Sequence, residues 1–409
     1  MQIYRVGGAI RDQLLGLPVK DTDWVVTGAT PEQMVTEGYL PIGKDFPVFL
    51  HPRTKQEYAL ARTERKVSRG YAGFNFNTDP AISIEQDLAR RDLTINAIAE
   101  DAQGKLIDPF NGQQDIQLRI LRHVSDAFVE DPVRVLRVAR FAARFAHLGF
   151  QVADETKQLI RQIAQSGELD ALVAERVWVE MDKALAEQDP QEFFNSLRDC
   201  GALQTLFPEI DNLFGVPQTA SYHPEVDTGI HVMLALKKSA ELNFTNDVRF
   251  AVLMHDLGKA NTPADILPSH HGHEQRGIKL SRNFCRRWRV PKAISELATM
   301  TCEYHTHIHR AYEMKPSTLM KLFSQTDSFR RPERFYKMTQ ACIADARGRT
   351  GFEDDPYPQA AYAWGLVKQL NGLDLTPVLE SSHQGPALGQ AIYDYRLQFL
   401  KTIVQKTAL

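Results

Sequence analysis

The stretch Gly7-Gly8-Ala9-Ile10-Arg11-Asp12, followed by Asp21-Thr22-Asp23-Trp24-Val25-Val26, decides how this chain is read. Residues 2–6 predict a strand, Gly7-Gly8 a tight turn, and residues 9–15 a short helix stopped by Gly16 and Pro18. Side chains alternate along a strand, so Asp21 and Asp23 point to one face of the apolar run they enter. Two carboxylates so placed repel each other unless a cation sits against both. Magnesium prefers such oxygens and shares its coordination with substrate phosphates. Glycines at a strand-to-helix turn let backbone N–H groups approach an anion, which the helix N-terminus also favours. Arg11, on the first turn, is placed to pair with a phosphate.

Working outward, residues 31–37 predict a short helix, and residues 47–51 and 57–61 a hairpin in which Glu57 is a candidate third acid. Residues 63–80, with Arg65, Lys66, Arg69, Gly70 and Gly73, read as a mobile basic loop. Residues 85–99 carry a helical apolar stripe and the block Arg90-Arg91-Asp92. Beside a metal-binding acid pair, that block offers an arginine for phosphate and an aspartate for a sugar hydroxyl. Asp108-Pro109-Phe110-Asn111-Gly112 reads as a turn. Next, Asp131 fits a helix N-cap and Pro132 the first helical position. On that helix Arg134, Arg137, Arg140 and Arg144 fall within about a third of the circumference. Such a narrow cationic ridge suits an anion or nucleobase partner.

From about residue 150 onward the pattern is helical, and residues 213–228 break it like an interdomain connection. A histidine-rich region follows, with His231, the pair His255-Asp256, then His270-His271-Gly272-His273 and His305-Thr306-His307. Imidazole and carboxylate ligands on neighbouring helices suit a transition-metal hydrolase centre. A net charge of -3 over 409 residues gives no global basic signal, so any nucleic-acid contact must use a local patch. Four scattered cysteines without a Cys-x-x-Cys pair argue against a disulfide framework and suit a reducing cytoplasm. No apolar run approaches membrane-spanning length, and no signal core is visible near Met1.

With GGAIRD and DTD at 7–23, RRDLTINAI at 90–98, DPFNG at 108–112, EDPVRVLRVARFAAR at 130–144 and H…HD at 231–256, the chain resembles the bacterial tRNA nucleotidyltransferases. These are the CCA-adding enzymes, here in the form that carries an HD-type phosphohydrolase domain. The resemblance implies an α+β fold with a polymerase-β-like head and a small mixed sheet, followed by all-α neck, body, HD and tail domains. It implies a head at 1–129, a neck and body at 130–222, an HD domain at 223–330 and a tail at 331–409.

By the same resemblance Asp21 and Asp23 would hold magnesium, and Gly8 and Arg11 would contact the triphosphate. Arg91 and Asp92 would grip phosphate and ribose, while Asp131, Arg134, Arg137 and Arg140 would select the base. The DPFNG turn would be a flexible neck. The implied reaction is ordered addition of C, C and A to a tRNA 3′ end from CTP and ATP, with contact to the acceptor arm. Poly(A) polymerases share most of these motifs and are the alternative product class. The chain lacks a long basic C-terminal extension, which favours CCA addition. A tRNA-binding protein with an inactive site is the third reading, and the intact acid pair and arginine helix argue against it. At the HD site, His231, His255 and Asp256 would bind nickel or another divalent transition metal. An aspartate is expected at 306, where this chain has Thr306. That leaves the set one ligand short or reliant on His271, His273, His305 or His307. A cytoplasmic monomer or homodimer with no membrane partner completes the expectation.

Overall fold

The computed structural model describes residues 1–42, 48–66 and 74–407, and it divides into two compact units, Met1–Phe207 and Pro208–Leu409. In the first unit the strands are β1 (Gln2–Val6), β2 (Asp23–Thr27), β3 (Leu40–Pro41), β4 (Val48–Leu50), β5 (Glu57–Leu60), β6 (Thr63–Lys66), β7 (Phe74–Asn77), β8 (Ala99–Glu100) and β9 (Leu106–Ile107). Seven of them form one mixed sheet in the order β3-β4-β5-β2-β1-β8-β9. At its centre β2 runs antiparallel to β1 and parallel to β5. Val25 and Val26 show why this run is a strand. Val25 packs with Val6, Leu88 and Ala97 on one face, and Val26 with Met34, Phe49 and Leu60 on the other. Both faces are covered, so the run is continuously apolar rather than alternating. Fully burying one such side chain contributes about 2 kcal/mol.

The helices of this unit are α1 (Gly8–Leu14), α2 (Pro31–Thr36), α3 (Ile84–Ala89), α4 (Gly112–Leu118), α5 (Val133–Phe145), α6 (Asp154–Gln165), α7 (Ala174–Leu185), α8 (Gln191–Asp199) and α9 (Leu203–Leu206). Thr30 and Ser83 form capping boxes with Gln33 and Gln86, which start α2 and α3. Three expectations are corrected here. Residues 63–66 and 74–77 pair as an antiparallel hairpin rather than a loop, while Arg69, Gly70 and Gly73 lie outside the described residues. The helix expected over 85–99 stops at Ala89. Asp92 accepts from Leu93 N and from Asn96, and this local bonding turns the chain into a short 3₁₀ turn and then β8. Residues 151–152 pair in parallel with residues 120–121, a small exception to the helical second half. Within the DPFNG turn Asp108 accepts from Gly112 N and from the following Gln113 N at 2.7 and 2.9 Å.

The second unit holds α10 (Pro208–Asp211), α11 (Thr228–Glu241), α12 (Asn246–Met254), α13 (His273–Arg287), α14 (Lys292–His309), α15 (Pro316–Gln325), α16 (Pro332–Arg347), α17 (Pro358–Asn371), α18 (Thr376–Leu379) and α19 (Gly385–Thr407). Residues 213–228, expected to be a connection, belong to this unit and bring Gln218, His223 and Glu225 to its site. Two glycines set the packing. A Cβ on Gly258 would strike the carbonyl of His273, so only glycine lets the turn after Asp256 lie against α13. A Cβ on Gly348 would strike the backbone of Ala235, so the end of α16 sits directly on α11. No helix of the described residues is long and apolar enough to cross a membrane.

Candidate active sites

The first site is built around the start of β2. Alternation puts Asp23 on the face of Val25, the face that α3 and residues 97–99 cover. This is how a strand acid and the Arg91-Asp92 block come to share one side of the sheet. Asp23 is paired with Val6, so it stands beside the Gly7-Gly8 turn. Glu57 holds the matching place on β5, one residue before the Trp24–Tyr58 pair. Asp21 precedes the strand, which was expected to contain both acids and begins at the second. Asp21, Asp23 and Glu57 are all exposed. Such exposed oxygens fit a hard divalent cation, which takes carboxylates and keeps several waters.

Gly7 has φ 73°, and a Cβ there would lie 2.8 Å from Arg91 Nη1. The positive φ of the turn favours glycine, and a Cβ there would push the Arg91 guanidinium aside. Arg11 does not reach outward from the first turn as expected. It is 3% exposed, donates to Asp12 and Asn96, and lies over Phe141 and Phe145 at 5.2 and 5.1 Å. Burial lowers its pKa. Its Nη2 lies 3.4 Å from the place that a Cβ on Gly8 would take.

The arginine ridge of α5 is also turned inward. Arg134 donates to the carbonyls of Arg90 and Ala127. Arg137 meets Asp92 at 2.7 Å, Arg140 meets Glu180 at 2.6 Å and Arg144 meets Asp12 at 2.9 Å. Helix α5 begins one residue later than expected, with Pro132 rather than Asp131 at its N-cap and no side-chain cap, while Asp131 accepts from Val133 N and pairs with Arg176 at 2.8 Å. Burial raises the Asp92 carboxyl pKa, but Arg137 together with bonds from Asn96 and Leu93 N overcomes this and holds it far below the usual carboxylate range. Burial likewise works against Asp87, and Arg90 and Arg91 prevail. Part of the Arg137 side chain remains exposed (38%), so it is the member of the ridge most open to a ligand.

The second site is a buried cluster in the HD region. His231 comes from α11, His255 and Asp256 from the end of α12, His273 from α13, His305 from α14 and Asp345 from α16. The Gly348–Ala235 contact lies about one turn along each helix from Asp345 and His231, whose Oδ1–Nε2 distance is 3.0 Å. His255 Nε2 lies 3.1 Å from Asp256 Oδ2 and 3.6 Å from Asp345 Oδ1. His309 contacts Asp345 Oδ2 at 2.7 Å, and Tyr357 in turn contacts His309. Lys259 reaches both Asp256 and Gln218.

Where an aspartate was sought at 306, the cluster instead gains the carboxylate of Asp345, which groups with His255 and His305. Thr306 instead donates to Glu274. Of the reserve histidines, His273 and His305 join the cluster, while His271 lies at the mouth of the adjoining cavity and His307 is in none of the metal-ligand groupings. Among the described residues, every such grouping of three or more side chains lies in this unit.

His255 Nε2 and Asp256 Oδ1 are buried and make no well-formed hydrogen bond. Burial opposes a charged His255, yet Asp256 and Asp345 overcome it and hold the ring up at about 10. Asp256 and Asp345 are themselves held well below the usual range, against their burial, chiefly by His255 and by Lys259 and His309 respectively. A site that draws in positive charge so strongly fits a divalent ion, which displaces ligand protons when it binds. A cavity of about 730 Å³ opens beside the cluster, lined by Tyr222, Lys259, Arg349, Phe352 and Tyr357 among others.

A strand-end acid pair beside a glycine turn, joined in one chain to a buried His-Asp cluster, defines a nucleotidyltransferase head coupled to an HD domain. The Poly A polymerase head domain matches residues 3–122, the probable RNA and SrmB-binding site of polymerase A residues 149–214, and the HD domain residues 228–331. Both the head and the HD domain imply dependence on divalent metal. The chain is 57% identical to the multifunctional CCA protein of Thioalkalivibrio sulfidiphilus over 403 residues, 98% of each chain. It is 55% identical to that of Pseudomonas fluorescens over 408 residues, covering 100% of both. The chain belongs to the multifunctional CCA proteins, enzymes of the tRNA nucleotidyltransferase class. In fold it is similar to a Bacillus stearothermophilus CCA-adding enzyme solved with CTP (TM-score 0.64, 24% identity, 99% of this chain and 89% of that one). A Thermotoga maritima CCA-adding enzyme solved with tRNA is also similar (TM-score 0.60, 19% identity, 98% and 87%).

Proposed function

We propose that this protein adds C, C and A in order to the 3′ end of tRNA from CTP and ATP in the cytoplasm, without a template strand. The observation that carries the proposal is the convergence of exposed Asp23, the Gly7-Gly8 turn and the Arg91-Asp92 block on one side of the sheet. Asp21 and Asp23 hold magnesium, with Glu57 beside Asp23 as a further oxygen ligand. Bound there, the metal supplies Lewis-acid stabilisation of the charge that develops as the 3′-hydroxyl attacks the α-phosphate and pyrophosphate leaves. The backbone at Gly8, with the Arg11 guanidinium close by, receives the triphosphate. Arg91 pairs with phosphate and Asp92 with the ribose 2′-hydroxyl. Asp131, Arg137 and Arg140 form the face that chooses the base, with Arg137 exchanging part of its bond to Asp92 for the incoming edge. In this reading Arg134 acts by anchoring the helix, since its guanidinium is bonded to carbonyls.

At the second site His231, His255, Asp256 and Asp345 hold nickel or a related divalent ion, and the unit hydrolyses phosphate esters, including 2′,3′-cyclic phosphates. A cavity of about 730 Å³ lined by cationic and aromatic side chains suits a nucleotide. The transferase proposal is tested by supplying tRNA that lacks its 3′ end, magnesium, CTP and ATP. Ordered C, C, A addition is expected, whereas unbroken A addition indicates poly(A) polymerase activity. The hydrolase proposal is tested with 2′,3′-cyclic AMP and nickel, and turnover is expected to vanish in His255→Ala.

A further inference from the structure

We propose that the outward face of α13, which carries Lys279, Arg282 and Arg286, docks the phosphate backbone of the double-helical part of the tRNA substrate. The inference rests on the reading of the chain as a tRNA nucleotidyltransferase and adds a contact surface outside both sites described above.

Between Glu274 and Glu296 the sequence holds seven lysines and arginines and no acid, in a chain whose net charge is -3. Helical spacing sorts the residues of α13 onto two faces. His273, Gly277, Ser281, Phe284 and Cys285 are buried on the inner one. Gln275, Lys279, Arg282, Asn283 and Arg286 fall opposite them, within about 100° of arc. Lys279, Arg282 and Arg286 are exposed, and with Gln275, Ile278 and Asn283 they line a shallow groove of about 420 Å³.

The charge on this face is not balanced within the fold. Among the described residues Lys279, Arg282 and Arg286 make no ion pair, and Arg286 donates only to Asn283, at 2.6 Å. A solvated helix face ordinarily sets opposite charges at i, i+4. Here Arg282 and Arg286 stand at that spacing and repel each other, which an anionic partner reverses. The negative end of the helix dipole accounts for Arg286 in the last turn, but it fades before Arg282 and Lys279.

The neighbouring chain points to RNA as that partner. Arg287, next along α13, lies over the Trp288 ring at 4.9 Å and pairs with Glu209 at 2.7 Å. Glu209 belongs to the second unit and to residues 149–214, the segment that matches the probable RNA and SrmB-binding site. The cationic face therefore ends against that segment. From Lys279 to Arg286 it runs about 10 Å along the helix axis. Over such a length one strand presents several phosphates, at about 3.4 Å of rise each. The amides of Gln275 and Asn283 stand among the cations, where they can bond phosphate oxygens and 2′-hydroxyls. The face carries no aromatic ring on which unpaired bases would stack, which selects duplex over single strand. Ile278 alone offers too little apolar surface for a helix that lies in a membrane.

The test titrates the full-length chain into a fluorescent tRNA transcript lacking its last three nucleotides, without nucleoside triphosphate, at several salt concentrations. With Lys279→Gln, Arg282→Gln and Arg286→Gln together, affinity is expected to weaken about tenfold or more near 0.1 M salt. The slope of log affinity against log salt should become shallower by about 2–3. A control with Lys237→Gln, Lys315→Gln and Lys321→Gln, all exposed, loses the same charge elsewhere and should bind as the parent does. Unchanged affinity and slope in the first variant, or equal weakening in both, overturns the docking surface. Loss of binding to phosphatidylglycerol vesicles but not to tRNA also overturns it, in favour of a membrane surface. No tRNA binding by the parent overturns it too, while the nucleotide-addition assay alone decides the transferase reading. In the parent itself, acetylation of Lys279 followed by mass spectrometry should slow when tRNA is added. An unaltered rate overturns the proposal without any variant having to fold.

Discussion

Asp345→Asn isolates the residue on which the HD cluster depends. Asparagine keeps the size of the side chain and one carbonyl oxygen but removes the charge. Asp345 is 6% exposed, 3.0 Å from His231 Nε2, 3.6 Å from His255 Nε2 and 2.7 Å from His309 Nε2. A unit charge about 4 Å from a cation contributes about 4 kcal/mol at an effective dielectric of about 20. The retained carbonyl dipole recovers part of this, leaving a loss of about 3 kcal/mol, roughly a hundredfold in affinity. Nickel binding at the HD site, measured by competition with a metallochromic chelator, should weaken by that factor. Hydrolysis of 2′,3′-cyclic AMP should fall with it at limiting nickel. Nucleotide addition by the same preparation should be unchanged, because the first site lies in the other unit. Nickel affinity within about threefold of the parent, about 0.7 kcal/mol, would refute the placement of Asp345 among the ligands.

Three other perturbations have definite outcomes. Asp23→Asn should slow CTP addition by about a thousandfold or more, about 4 kcal/mol in barrier, while the melting temperature barely moves because Asp23 is exposed. Gly258→Ala should destabilise the HD unit by about 1–3 kcal/mol through the clash with the His273 carbonyl, seen in thermal melting and in weaker nickel binding. The Asp87 and Asp92 carboxyls titrate below their ordinary 3.8 when folded, so the unfolded chain binds more protons at acid pH. Their stabilisation is complete above about pH 5 and is lost as the pH falls through about 4 towards the folded values, and Asp92→Asn should flatten this dependence of the melting temperature.

The head was legible because its chemistry is local. Gly7-Gly8, Asp23 and the Arg91-Asp92 block each sit in a short stretch with its own turn or strand signal, and alternation on β2 brings them to one face. The inward turn of the arginine ridge was not legible. Helical spacing sets Arg134, Arg137, Arg140 and Arg144 on one side, but their partners Asp92, Glu180 and Asp12 come from distant segments. Asp345 escaped for the same reason, 89 residues beyond Asp256 in the chain. Its signal was present as a carboxylate on the buried stripe of Met338, Ala341 and Cys342 in α16. A charge on such a stripe needs a partner, and the histidine cluster is that partner. A carboxylate sought at 306 along the chain is instead brought to the cluster by Asp345 from another helix.

The central claim concerns what the first site makes. Full-length protein is incubated with magnesium and tRNA ending before its final three nucleotides, with CTP alone, ATP alone, or both, and products are resolved at single-nucleotide length. The proposed activity predicts two additions with CTP alone and a third, terminal A only when ATP joins it. A run of A residues with ATP alone, or no incorporation under any condition, would contradict it.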